Sequence, residues 1–105
     1  MVLPNLKNVQ LNQIIVDLGT APGSVVSSNT NGLLLKVGSV TVPVNIQNNQ
    51  GTVSDADLAT ITQWLGLDWS LIFVTDKLPQ LCSNNQLDPT KLIEAILFVG
   101  YTSDI

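Results

Sequence analysis

The 105-residue chain has no histidine, no arginine and a single cysteine, and only 11% of its residues carry charge. Each shortage removes a class of function. Without histidine the commonest general acid–base at neutral pH is missing, and neither a Ser-His-Asp nor a Cys-His nucleophile system can be assembled. A Gly-x-Ser-x-Gly elbow is also absent. Zinc sites draw on several Cys or His ligands, which one cysteine cannot supply. Asp55-x-Asp57 resembles the start of a calcium loop but lacks the later oxygen ligands, the turn glycine and the closing glutamate. The two carboxylates are better explained by a helix N-terminus. The other acids, Asp17, Asp68, Asp76, Asp88, Glu94 and Asp104, are scattered and show no catalytic spacing. Neither G-x-x-x-x-G-K-[ST] nor G-x-G-x-x-G occurs. The expectation is a protein that is not an enzyme, with no metal, cofactor or small-molecule substrate.

Positive charge is equally sparse. Four lysines against eight acids leave a net charge of −4, so phosphate backbones and anionic membrane surfaces meet repulsion rather than a basic patch. Nucleic acid and membrane are therefore not expected partners. No apolar run approaches the roughly 20 residues that span a bilayer. The first residues, MVLPNLKNVQ, lack a basic segment followed by a continuous apolar stretch, so secretion by a signal peptide is not expected. One cysteine cannot form an internal disulfide, and Cys82 reads as a small apolar side chain. These features fit a cytoplasmic location or a particle assembled there, such as a virion.

What the chain does have is 45% hydrophobic residues and a surplus of amides, Asn and Gln together outnumbering every charged residue. Residues 1–105 suit a single compact domain with one modest core. The clearest local signal is Leu33 to Ile46. Gly38-Ser39 has the glycine-first chemistry of a type II′ turn, which pairs Val37 with Val40, Leu35 with Val42 and Leu33 with Val44 on one apolar face. Lys36, Thr41 and Asn45 take the other face. Pro43 opposes Leu34 at a non-hydrogen-bonded position, which predicts an edge strand. Asn31-Gly32 marks a turn into this hairpin, with Val25 and Val26 as a further strand. Ile14 to Val16 suggests one short strand or helical turn.

The back half reads as helical. Ser54 caps a first helix, with Asp57 as the acidic end of the capping box, Val53 and Leu58 as the staple and Gly66 at its close. Ser70 to Thr75 suits a helix capped by Asp68, although its aromatic and β-branched content leaves a strand as the alternative. A further helix is expected from Asp88, with Pro89 in its first turn, to near Gly100. Its apolar arc, Leu92, Ile93, Ile96, Leu97 and Val99 with Phe98 opposite, is broader than one contact face requires. The fold expected is α+β: a small antiparallel sheet from the first half, packed against two to three helices from the second.

Excess apolar surface, an edge strand and an uncharged polar exterior point to action through protein–protein contacts. The leading expectation is a structural subunit of an assembly such as a virion or phage tail, packing against copies of itself or other subunits. Trp64 and Phe98 are the expected interface anchors, and Thr41, Pro43 and Asn45 the exposed edge. The alternative is a small acidic inhibitor, immunity or adaptor protein, steered to a basic partner by Asp55, Asp57 and Asp68.

Overall fold

A computed structural model describes residues 7–63 and 68–104. Its principal feature is a long antiparallel ribbon that joins the two ends of the chain. Strand β1 (Lys7–Thr20) pairs along its length with β10 (Leu92–Asp104). On its other side β1 pairs with β6 (Gln50–Thr52), followed by β5 (Asn45–Gln47) and β2 (Ser28–Asn29). The five-stranded order is β10-β1-β6-β5-β2. A second sheet has β3 (Leu33–Val37) in the centre, flanked by β4 (Val40–Pro43) and β7 (Trp69–Phe73). A two-stranded hairpin, β8 (Cys82–Ser83) with β9 (Gln86–Leu87), lies between β7 and β10 in sequence.

The two sheets share one core. Ile14, Val16, Leu18 and Ile46 from the larger sheet meet Leu33, Leu35, Val37 and Val42 from the smaller one. Helix α1 (Asp55–Thr62) adds Leu58 and Ile61, and the 3₁₀ turns Thr75–Lys77 and Pro79–Leu81 bring in Leu78 and Leu81.

Local rules explain several of these elements. The β3–β4 register matches the turn chemistry: Val37 faces Val40, Leu35 faces Val42 and Leu34 faces Pro43, while Gly38 holds a φ of 60°. Ser54 caps α1 by accepting from the Asp57 N–H at 3.3 Å, and its own hydroxyl donates to the Asp57 carboxylate at 2.9 Å. Two further hairpins turn on Asn-Asn pairs. Asn48 and Asn49 have φ of 49° and 66°, and Asn84 and Asn85 have 54° and 62°. Two consecutive left-handed residues make a type I′ turn, and asparagine tolerates that conformation better than most side chains.

The expected α+β layout is overturned, because the described residues are mostly β with one α-helix. The segment from Asp88 to Gly100 is not a helix. Asp88 and Pro89 instead form a tight turn in which the Asp88 carboxylate accepts from the Thr90 N–H at 2.8 Å and the Thr90 hydroxyl at 2.6 Å. The residues that follow are apolar at both odd and even positions, a pattern without a distinguishing period. Their β-branched and aromatic content, together with a long partner in β1, draws them into a strand. Trp69–Phe73 is likewise a strand, because β3 offers it an unpaired edge from Leu33 to Val37. Of the short strand or helical turn expected at Ile14–Val16, the structure has a strand, but one of fourteen residues. Val25 and Val26 form no hairpin with β3. Instead the buried Val26 N–H donates to the Asn49 side-chain oxygen at 2.8 Å. Trp64 and Gly66 lie outside the described residues.

Candidate functional site

A sheet edge exposes a row of unpaired N–H and C=O groups, and proteins ordinarily blunt such edges with short strands, prolines or charges. The two sheets end in β2, β4, β7 and β10. Strand β2 is two residues long, β4 ends at Pro43, and β7 is five residues long. Strand β10 is different. Its thirteen residues, LIEAILFVGYTSD, contain no proline and no lysine, and Glu94 is the one charge before Asp104. One side of β10 is occupied by β1, and among the described residues nothing pairs with the other.

Four of the exposed side chains on this strand are large and apolar: Ile93 is 66% accessible, Phe98 50%, Tyr101 44% and Ile96 41%. Cross-strand register shows how the surface is organised. Leu97 and Val99 sit opposite Val16 and Ile14 and pack against the core. Ile96 and Phe98 therefore point to the outer face of the five-stranded sheet. One row across that face runs Ile96, Asp17, Gln50, Gln47 and Ser28, and the next runs Phe98, Ile15, Thr52 and Asn45. The outer face is thus apolar at the β10 border and amide-rich towards β5. At the amide end it forms an open depression lined by Asp17, Asn45, Gln47, Gln50 and Thr52, with the Gln50 amide 3.4 Å from the Asp17 carboxylate.

The expected site residues fall in separate places. Phe98 is half exposed on β10, and Asn45 lies in the same row, three strands away. Thr41 and Pro43 are exposed on β4, in the other sheet, and share no edge with Asn45. Asp55 and Asp57 occupy the first turn of α1, where Asp57 is engaged by the cap, and exposed Asp68 accepts the Gly38 N–H through its backbone carbonyl. Ile93 and Ile96 escaped the sequence reading because a helical wheel distributes them around the arc, and Tyr101 because it follows Gly100, where the expected helix ends. Alternation within the strand places Ile96 beside Phe98. Cys82 is buried, with its thiol 3.8 Å from the Thr75 carbonyl.

The side chains of this face offer hydrogen bonding, apolar contact and the carboxylates of Asp17 and Glu94. Among the described residues no three of His, Cys, Asp and Glu cluster to hold a metal, and no helix is long and apolar enough to cross a membrane. No protein-family model, curated protein or solved structure matches the chain. Neither the mainly β fold nor these comparisons give support to a virion or structural-particle role.

Proposed function

We propose that the protein works by binding other protein, as a subunit that assembles through strand addition at the β10 edge. The observation that carries this reading is the combination of length, exposure and absence of protection on that one strand. Main-chain groups along an edge supply affinity for an incoming strand, and the side chains flanking it supply selectivity. Here the flanking side chains are Ile96 and Phe98 on the outer face, with Ile93 and Tyr101 towards the two ends. Such a cluster costs solubility unless something covers it, as contiguous exposed apolar patches generally mark contact sites.

The test is the molar mass of the purified chain by light scattering, together with the proteins it retains when isolated from its natural source. Wild type is compared with Ile96→Lys, which places a charge at the middle of the edge without entering the core. The expected result is a mass above one chain, or a retained protein, that the substitution abolishes. Identical mass and identical retained proteins for both forms would overturn the reading.

A further inference from the structure

We infer that the strand added at this edge is β10 of a second copy, run antiparallel about a two-fold axis through Leu97. The inference rests on the strand-addition reading above and adds both the partner and the register. Two copies presenting the same edge can pair only residues of like parity, because backbone groups facing that edge recur at every second residue. The axis must therefore pass through a residue. An axis through Leu97 sets Ile96 opposite Phe98 of the second copy, Ala95 opposite Val99, Glu94 opposite Gly100 and Ile93 opposite Tyr101.

Three features single out Leu97. The four exposed large apolar residues of the strand, Ile93, Ile96, Phe98 and Tyr101, are distributed symmetrically about it, so each meets another of the set. The charges also agree: Glu94 meets a glycine, with no like charge opposite. Shifting the axis to Ile96 would set Glu94 against Phe98, and shifting it to Phe98 would leave Ile96 against Gly100. The strand's regular stretch has the same centre. Irregularities in the β1–β10 ladder fall between Gly19 and Thr20 and between Leu11 and Gln13, which leaves Glu94 to Gly100 in unbroken register with β1. The midpoint of that stretch is Leu97. A self-complementary patch is what an isologous two-fold interface requires, and pairing here would join the two five-stranded sheets into one continuous sheet.

The Glu94–Gly100 pairing supplies the test. Both residues lie on the outer face, and they are too far apart within one chain to interact across the intervening five residues. A Cβ on Gly100 would lie 3.6 Å from the Gln13 Cβ, an ordinary contact, and the residue has no positive φ to protect. Dimer dissociation constants are measured by light scattering or sedimentation for wild type, Gly100→Lys, Gly100→Glu and the double variant Glu94→Lys/Gly100→Glu, with circular dichroism to show that each is folded. Two symmetric cross-strand pairs form per dimer, so Gly100→Lys is expected to tighten it by about three- to tenfold and Gly100→Glu to weaken it by a similar factor. The double variant is expected to recover the loss.

A dimer indifferent to all three substitutions would overturn the register. If Ile96→Lys still dissociated that dimer, the edge would stand as the binding surface. A wild type that stays monomeric at the highest attainable concentration would overturn the second copy as partner. The strand-addition reading would then be decided separately, by whether Ile96→Lys loses a retained protein.

Discussion

Asn49 shows how much a single amide holds together in this chain. Its side-chain oxygen accepts the buried Val26 N–H and its side-chain nitrogen donates to the Thr20 hydroxyl, each at 2.8 Å. Its backbone N–H donates to the Val26 carbonyl at 3.0 Å and its carbonyl accepts the Leu18 N–H at 2.8 Å. It does this at a φ of 66°, where most side chains are strained. Asn49→Ala removes two side-chain hydrogen bonds, orphans the Val26 donor and keeps the strain, so it should cost about 2–4 kcal/mol in urea unfolding. Asn49→Gly relieves the strain alone and should cost less than alanine. Equal losses for the two would show that backbone conformation is not part of the role. Asp88 provides a pH-dependent contribution. Hydrogen bonds from the Thr90 and Ser83 hydroxyls and the Thr90 N–H, with help from Lys91, lower its carboxyl to about 2. The folded value lies below the unfolded one, so the stabilisation is complete above pH about 4 and is lost as pH falls towards 2. Asp88→Asn should flatten that limb of the stability–pH curve relative to wild type, and parallel curves would disprove the assignment.

At the scale of elements, strands succeed where apolar residues lack a helical partner surface but have a waiting edge. The β5–β6 hairpin depends on Gly51 for its fit. It sits between Ile46 and Val16 in the sheet, and a Cβ there would run into the Val44 side chain, which is fully buried. Gly51→Ala should destabilise the fold by about 1–3 kcal/mol through overpacking, measurable by thermal or urea unfolding. A neutral effect would mean that Val44 relaxes freely. The α1 boundary was legible from Ser54 and Asp57 because a capping box is a local contact between residues three apart. The β3–β4 hairpin was legible for the same reason, its turn and both strands lying within fourteen residues. Strands β7 and β10 were not, since each is specified by a partner distant in sequence.

The whole molecule is elongated, 46 × 23 × 22 Å with a radius of gyration of 14.6 Å, against about 13 Å for a compact chain of this length. A fourteen-residue strand spans about 45 Å, so the β1–β10 ribbon is long enough to account for the extended axis. It also sets what charge can do at the proposed interface. The chain carries −4 overall, yet its paired edge between Leu92 and Thr102 holds Glu94 alone. Association of two copies by apolar contact should hold or tighten slightly as salt screens their mutual repulsion. Steering of this acidic chain to a basic partner would weaken with salt, so the light-scattering series at low and high ionic strength separates the two modes.

By itself the sequence determined the Gly38-Ser39 hairpin and its register, the cap of α1 and the lack of any ordinary nucleophile–histidine system, because each is written in residue types close together in the chain. Tertiary structure alone decided that residues 7–20 and 92–104 pair. It also decided that Phe98 faces outward beside Ile96, and that the longest unprotected edge is β10. The physical reason lies in the apolar residues from Leu92 to Val99, which occupy both alternating positions and most of a helical circumference. Neither period excludes the other there, and the choice passes to a partner strand more than seventy residues away.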